Sequence, residues 1–203
     1  MRRVGRVWLI CSLLLLAACH GDDADLFQGS SVTGVKLGQD WALQDLNGQT
    51  RTPQDFIGDL QLVFFGFTQC PDVCPTTLAT VAQTMSLLGE QAKGVQVLMV
   101  TVDPERDTPD VMTEYLHAFD AELPRSFVGL TGTSEAIRQT AGAFRAYYAK
   151  VPTPDGDYTM DHSASIYLLD QQGQARVMFN EQVGAEVMAH DIGVLLSQNQ
   201  SAK

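Results

Sequence analysis

Hydrophobic and polar positions alternate between strand-like and helix-like spacing from residue 35 onward. Two continuous apolar runs, at residues 60–67 and 95–102, predict buried strands. Between them, apolar residues recur at intervals of three and four, which predicts a helix over about 75–88. A second helix is predicted after residues 107–109, where Asp-Thr-Pro can cap it. The order strand, helix, strand, helix predicts parallel βαβ units.

The last third of the chain breaks this alternation at residues 149–161. This segment holds two prolines and a glycine, so we predict a loop, and loops of this length in compact domains tend to be functional. The other elements predicted here are a strand at 127–130, a helix that Ser134 caps and that runs to about Tyr148, a hairpin of strands 163–169 and 175–179, and a helix at about 184–196.

An Asn-Gly pair predicts a further hairpin ahead of the first core strand. Residues 41–46 and 49–52 flank Asn47 and Gly48, which can supply the positive φ angles of a type I′ turn. Parallel βαβ units followed by an antiparallel hairpin and a terminal helix are typical of thioredoxin-like organisation. The expected fold class is therefore α/β: a thioredoxin-like fold with a central mixed sheet flanked by helices and an N-terminal β-hairpin extension.

The first 18 residues have the composition of an export signal. Three arginines precede an apolar stretch at residues 7–18, which is too short to span a bilayer. The stretch ends in Leu16-Ala-Ala-Cys19, which resembles the lipobox at which bacterial lipoproteins are cleaved and diacylated. We predict a lipoprotein signal peptide at 1–18 with Cys19 as the site of lipid attachment. A plain signal peptide or a short uncleaved anchor is the alternative.

Composition and charge limit the remaining possibilities. Residues 19–34 are small, polar and acidic, which predicts a flexible tether that includes His20. Residues 35–203 fit one globular domain and leave no room for a second. The 13 Lys and Arg against 24 Asp and Glu give a net charge of −11, which argues against a nucleic-acid partner.

The candidate chemistry lies directly after the first core strand. The chain has four cysteines; Cys11 lies in the apolar stretch and Cys19 at the lipobox, which leaves Cys70 and Cys74. Both precede proline, so we expect both to be extended, with Cys74 at the cap of the next helix and both thiols facing outward. A helix N-terminus favours the thiolate that a metal ligand or redox nucleophile requires, whereas Asp72 opposes it.

Three roles are open for this cysteine pair. A structural disulfide would close a very small loop and constrain the unfolded chain little. A thioredoxin-type redox site normally has two residues between its cysteines, and here there are three. A metal site needs a third ligand, and His162 is the best candidate, because an antiparallel strand 163–169 would start over the end of strand 60–66. By the same geometry Asp103 borders this crevice.

Other candidate residues have simpler explanations. His117 and His190 lie on predicted helices, and we expect solvated or packed side chains there. Met160 is more often a gap filler than a ligand in such a position. Asp161 is open between a turn residue and a functional one, but neighbours on an extended chain point in opposite directions, so orienting His162 is not its expected role.

Four separated motifs follow one another between about residues 36 and 197. They are Phe65-Gly-Phe-Thr-Gln-Cys70-Pro-Asp-Val-Cys74-Pro, Val102-Asp-Pro-Glu-Arg-Asp-Thr108, Leu130-Thr-Gly-Thr133, and Asp161-His162-Ser163 with Tyr167-Leu168. At these residues the sequence resembles the Sco/SenC family of copper-binding, thioredoxin-fold assembly factors for respiratory oxidases. The resemblance implies that Cys70, Cys74 and His162 bind copper. Many members are held by a transmembrane helix, whereas this chain carries the lipobox.

Donor chemistry agrees with copper. Soft thiolates select Cu(I), and imidazole suits both Cu(I) and Cu(II). A structural zinc site would require a fourth ligand, which the sequence does not supply. The first hypothesis is a copper chaperone rather than a classical enzyme. It would be lipid-anchored on the periplasmic side of a bacterial membrane and would deliver copper to the binuclear copper centre of a cytochrome oxidase subunit.

Two other functions use the same two thiols. One is a thiol-disulfide oxidoreductase in which Cys70 and Cys74 form the redox-active pair and reduce that subunit or other periplasmic proteins. The other is a copper or redox sensor. In each case an oxidising periplasm makes a thiol reductant an expected partner.

Overall fold

The computed structural model describes residues 26–200, with side chains described through residue 198. Its strands are β1 (Ser30–Ser31), β2 (Leu43–Asp45), β3 (Thr50–Arg51), β4 (Leu60–Gly66), β5 (Val95–Thr101), β6 (Val128–Thr131), β7 (Tyr148–Pro152), β8 (Tyr158–His162), β9 (Ile166–Leu169) and β10 (Ala175–Phe179). Its α-helices are α1 (Val73–Leu88), α2 (Pro109–Asp120), α3 (Ser134–Phe144) and α4 (Ala185–Gln200), with short 3₁₀ helices at Pro53–Phe56 and Gly89–Gly94.

Eight of these strands form one mixed sheet in the order β1-β10-β9-β4-β5-β6-β2-β3. Strands β4, β5 and β6 are parallel neighbours, and β9 pairs antiparallel with β4. This arrangement confirms the predicted thioredoxin-like α/β fold. It also places β4, which leads into the cysteines, between a parallel and an antiparallel neighbour.

The central strand β4 is buried on both faces and separates two cores. Leu62 and Phe64 face the core that contains residues of α1, α2 and α4. Val63 and Phe65 face the core that contains residues of α3. The alternation follows the two-residue period of a strand, and helices on both faces explain the continuous apolar run.

The predicted hairpin at Asn47-Gly48 is present, but its turn is of another type. Of these two residues only Gly48 has a positive φ, at 78°. Its amide donates to the Asp45 carbonyl at 2.9 Å, which gives a three-residue loop with Gly48 as the bulge residue. The Asp45 carboxylate also accepts from the Asn47 and Gln49 amides, which stabilises this turn. The hairpin extends the central sheet, because β2 pairs with β6.

Residues 149–161 form most of a second hairpin, which corrects the predicted loop. β7 and β8 pair antiparallel as a separate two-stranded sheet, with the turn near Gly156, whose φ is 86°. The preceding helix also ends earlier than the predicted Tyr148. It ends at Phe144 because Arg145 adopts a left-handed conformation with a φ of 55°.

The predicted tether differs from the structure at its C-terminal end. β1 pairs with β10, Phe27 is buried, and the Asp191 carboxylate accepts hydrogen bonds from the Gln28 and Gly29 amides, both at 2.8 Å. Residues 27–31 are therefore part of the folded domain. The predicted signal peptide, Cys11, Cys19 and His20 lie outside the described residues. Within 26–200, no helix has both the length and the apolar character needed to cross a membrane.

Candidate metal site

The two cysteines lie between the end of β4 and the first turn of α1. The helix begins at Val73, with Asp72 as its N-cap residue, so Cys74 is helical rather than extended as predicted. A helix tolerates Pro75 here because it falls in the first turn, where backbone amides have no intrahelical acceptor, so the amide hydrogen that proline lacks is not needed. Cys74 is also buried, with 1% of its surface exposed, whereas Cys70 is half-buried. The thiols therefore do not both face outward.

The pKa values of the two cysteines are shifted in opposite directions. Hydrogen bonds from the Cys74 side chain and from the Cys74 and Asp72 amides lower the pKa of Cys70 to about 4. The Cys74 amide lies 3.4 Å from the Cys70 sulfur. The bond to Cys70, together with burial, raises the pKa of Cys74. In the metal-free protein Cys70 is thus the thiolate and Cys74 the protonated partner.

His162 lies at the end of β8, opposite Tyr148 of β7. Its Nε2 is 3.5 Å from the Cys74 Sγ, and its Nδ1 is 3.1 Å from the Ser163 carbonyl oxygen. The tautomer with its proton on Nδ1 would donate to that carbonyl and leave the Nε2 lone pair for a metal ion. The Phe67 ring packs edge-on against the imidazole, with centroids 5.8 Å apart.

The donor atoms of Cys70, Cys74 and His162 all lie within 4.8 Å of one another. The strand pairing that was expected to bring His162 to the cysteines is present: β9 pairs antiparallel with β4 and brings the preceding chain over the cysteines. The detail differs: β9 begins at Ile166, and His162 belongs to the preceding hairpin.

Asp103, which was expected to border the same crevice, belongs to a neighbouring loop. Its Oδ1 accepts a hydrogen bond from the Tyr158 hydroxyl at 2.9 Å, and its Oδ2 is 3.9 Å from the Arg106 Nε. The side chain is buried, and the residue is not one of the group of three potential metal ligands.

Sequence reasoning missed the structural role of Asp107, which was interpreted as part of a helix cap. Thr108 is the N-cap residue of α2, while the buried Asp107 carboxylate holds the cysteine loop. It accepts from the Thr68 hydroxyl at 2.6 Å and the Thr68 amide at 3.1 Å, and from the Thr101 hydroxyl at 2.6 Å. Burial raises the pKa of Asp107. Three threonine donors offset the cost of burying its charge.

Sequence reasoning also missed the role of Gly66, the last residue of β4. A Cβ at this position would lie 2.8 Å from the Cys74 Sγ, closer than packed atoms approach. Gly66 therefore makes room for the buried sulfur. A glycine directly before the cysteine loop is the signal that could have indicated this close approach.

The remaining candidates lie outside the group of donor atoms. His117 is exposed and 3.6 Å from Asp120, and His190 contacts Asp191 at 2.8 Å. Met160 is buried within a core cluster, as a gap filler would be. Asp161 is exposed beside His162.

Two sulfurs and one imidazole nitrogen form a donor set suited to copper. Among the described residues, no fourth His, Cys, Asp or Glu joins the group, whereas a structural zinc site would have four ligands. Fold and donor set together define a thioredoxin-like domain with a three-ligand site at the start of its first helix.

The comparisons place this domain in a family. Residues 30–197 match the SCO1/SenC family model, and the chain belongs to the SCO1/SenC family. It is 35% identical over 173 residues to the SCO2-like protein of Rickettsia felis, covering 84% of this chain and 80% of that protein. It is 43% identical over 143 residues to the mitochondrial SCO2 homolog of Danio rerio, covering 68% of this chain and 50% of that protein.

A solved structure has the same fold. The structure of Bradyrhizobium japonicum ScoI with copper bound shares 42% sequence identity with this chain and superimposes with a TM-score of 0.71. The match covers 78% of this chain and 99% of ScoI.

Proposed function

We propose that this protein is a copper chaperone that binds copper through Cys70, Cys74 and His162. It delivers the ion to the binuclear copper centre of a respiratory oxidase subunit. The observation that carries the proposal is the convergence of the three donor atoms within 4.8 Å. Membership of the SCO1/SenC family and the similarity to a copper-bound ScoI support it.

The geometry suits an ion that must be bound and then released. Cys70 is half-buried and already a thiolate, so it is the first ligand that an incoming ion meets. Cys74 keeps its proton until the metal arrives, and copper binding displaces that proton. His162 adds a neutral ligand. Three ligands leave one side open, through which a ligand of the receiving subunit can enter while one of these ligands leaves.

The proposal includes lipid attachment at Cys19 on the periplasmic side of a bacterial membrane. This part of the proposal rests on the Leu16-Ala-Ala-Cys19 sequence. In that compartment the two thiols oxidise readily, so copper loading depends on a periplasmic thiol reductant.

A second candidate function is thiol-disulfide oxidoreductase, which the low pKa of Cys70 favours. The Cys70 thiolate would attack a disulfide of the oxidase subunit or another client and release one client thiolate. Cys74 would then lose its proton and attack the Cys70 sulfur, which releases the second client thiolate and leaves a Cys70–Cys74 disulfide. A sensor would use the same pair.

Two measurements on the reduced protein separate these functions. The first is Cu(I) titration against a tight competitor, and the second is the reduction potential of the cysteine pair. A chaperone retains one Cu(I) per chain and passes it to the isolated copper-site domain of an oxidase subunit. Weak Cu(I) binding together with a potential between about −120 and −270 mV, the range of known thiol-disulfide proteins, supports the oxidoreductase and overturns the chaperone. His117→Ala is the control, because His117 is exposed and outside the site.

A further inference from the structure

A cluster of charged and aromatic side chains holds the His162 hairpin at the end opposite His162. The Arg106 guanidinium lies over the Tyr158 ring, 3.4 Å from its centroid. Its Nη1 donates to the Tyr158 carbonyl oxygen at 2.9 Å, and its Nη2 pairs with the Asp157 carboxylate. Tyr158 is the first residue of β8 and His162 the last, so Arg106 fixes the strand that carries the imidazole.

The same guanidinium reaches the cysteine loop. Arg106 Nη1 also donates to the Gln69 Oε1 at 3.2 Å, and Gln69 directly precedes Cys70. The next residue, Asp107, binds Thr68 of that loop. Arg106 thus contacts both chain segments that contribute metal ligands.

Two further contacts attach the hairpin to the loop between β5 and α2. The Tyr158 hydroxyl donates to the buried Asp103 at 2.9 Å. From β7, the Lys150 ammonium lies 3.7 Å from the centroid of the Tyr158 ring and pairs with Glu105 at 2.9 Å. Both strands of the hairpin are therefore held by this loop.

The hairpin depends on such contacts because it is a separate sheet. β7 and β8 pair with each other and not with the eight-stranded sheet. An isolated two-stranded hairpin is marginally stable in water, so side-chain contacts to the rest of the domain must hold it. A metal ligand needs its position held to within about 0.5 Å, which a loosely attached hairpin cannot provide.

We propose that Arg106 is a positioning residue for the metal site. By bridging Gln69 and Tyr158 it holds the His162 hairpin against the cysteine loop and keeps the imidazole within reach of the sulfurs. The inference rests on the proposed copper function, in which His162 is the third ligand. When the His162 imidazole moves out of reach, both thiolates stay in place and Cu(I) is retained. Cu(II), which prefers nitrogen donors, loses one of its ligands.

The test is Arg106→Gln in the full chain, with Arg138→Gln as the matched control. Arg138 forms an exposed pair with Glu135 on α3. Amide hydrogen exchange over residues 148–162 is measured in the metal-free protein, followed by Cu(II) and Cu(I) titrations. In Arg106→Gln we expect faster exchange in the hairpin, a Cu(II) affinity about 10- to 100-fold weaker with a reduced thiolate charge-transfer band, and a much smaller Cu(I) effect. Arg138→Gln should match wild type.

Two more variants keep the inference falsifiable. Arg106→Lys retains a charge over the ring but cannot bridge two acceptors in the same geometry, so it should restore Cu(II) binding only in part. If Arg106→Gln loses its native fold, Gln69→Ala replaces it, since this variant removes the side chain through which Arg106 reaches the cysteine loop and keeps the guanidinium over the Tyr158 ring. Wild-type exchange and wild-type Cu(II) spectra in the folded variants would overturn the inference. If wild-type protein binds no copper, the proposed function fails, while hydrogen exchange still decides whether Arg106 holds the hairpin.

Discussion

The Cys74 Sγ and the His162 Nε2 lie 3.5 Å apart although the two residues are 88 positions apart in the chain. The contact arises because β9 runs antiparallel to β4, so the chain that enters β9 passes over the start of α1. A neutral ligand from one segment thus meets two sulfur ligands from another. We therefore expect the two segments to contribute differently to the affinity for each copper oxidation state.

The first prediction separates these contributions. We expect Cys70→Ser or Cys74→Ser to abolish binding of Cu(I) and Cu(II), because each removes one of two anionic ligands. We expect His162→Ala to weaken Cu(I) modestly and to remove most Cu(II) binding with its thiolate charge-transfer absorption. Titration of the purified variants with each ion measures both. His117→Ala and His190→Ala should leave both affinities unchanged.

A His162→Ala protein with a wild-type Cu(II) spectrum would contradict this prediction and remove His162 from the ligand set. A cysteine variant that still binds Cu(I) tightly would remove that sulfur instead.

The second prediction concerns the unequal thiols. The pKa of Cys70 is lowered to about 4, mainly by the hydrogen bond from the Cys74 side chain, while that of Cys74 is raised. Iodoacetamide should therefore alkylate Cys70 first. The rate should stay nearly constant from pH 8 to pH 5 and fall only as the pH approaches the pKa of Cys70. An ordinary thiol, with a pKa of about 8.5, would instead slow about tenfold per pH unit below 8.

Peptide mass spectrometry identifies the alkylated residue. Cys74→Ala is the informative companion, because alanine has no side-chain donor and so removes the hydrogen bond that contributes most to the low pKa of Cys70. The onset of reactivity should then move to higher pH. A wild-type rate that falls steadily from pH 8 would show that Cys70 is an ordinary thiol.

The central features of the fold and site were predictable because they depend on local sequence patterns. The apolar runs that became β4 and β5 are long enough to require burial on both faces. The antiparallel pairing of β9 with β4, on which the choice of His162 depended, is present and brings His162 to the cysteines. Each of these inferences required only spacing and topology.

The hairpin β7–β8 was missed because its strands are short and only partly buried, and because the two prolines and the glycine in this segment favoured a loop. Its attachments include the stacking of Arg106 on Tyr158, two residues 52 positions apart, and the burial of Met160 in a core cluster. The burial of the Asp107 carboxylate was missed for a similar reason. Asp is a preferred residue type at helix N-caps, so its place before Thr-Pro predicted a cap. Such contacts depend on tertiary structure and leave no periodic signal.

The third prediction tests the space that Gly66 provides. In Gly66→Ala the new methyl group would lie 2.8 Å from the Cys74 Sγ, and the buried sulfur has to move. Overpacking of this kind costs about 1–3 kcal/mol, and displacement of a ligand should weaken copper binding as well. Denaturant unfolding and Cu(I) competition measure the two effects.

Gly142→Ala is the matched control. Gly142 lies within α3 and a Cβ there has nothing within 4 Å, so alanine should stabilise the protein by about 0.5–1 kcal/mol and leave copper binding unchanged. Wild-type stability and affinity in Gly66→Ala would show that the site tolerates a displaced sulfur.

The fourth prediction links copper binding to the redox state of the pair. The described cysteines are free thiols, and their sulfurs lie within 4.8 Å of each other. Diamide takes up two electrons and two protons as the thiols form a disulfide, which removes both anionic ligands. We expect oxidised protein to lose Cu(I) binding as fully as Cys70→Ser does, and dithiothreitol to restore it. Copper bound before diamide is added should protect the thiols, and equal oxidation rates with and without copper would contradict their role as ligands.

The fifth prediction concerns attachment of the chain to a membrane. Leu16-Ala-Ala-Cys19 follows an apolar stretch and matches a lipobox, so the mature chain should begin at Cys19 with diacylglycerol on its sulfur. One lipid chain gives only marginal membrane binding, and stable anchoring takes two, which a diacylated cysteine supplies. Wild-type protein should therefore fractionate with membranes and show the lipid mass on its N-terminal peptide.

Cys19→Ser should remain unlipidated, while its copper site, which lies in the described domain, keeps wild-type affinity. Cys11→Ser is the matched control, since Cys11 lies within the apolar stretch and should not affect processing. A wild-type chain found in the soluble fraction without lipid would refute the anchor and leave the chaperone proposal to be decided by copper binding alone.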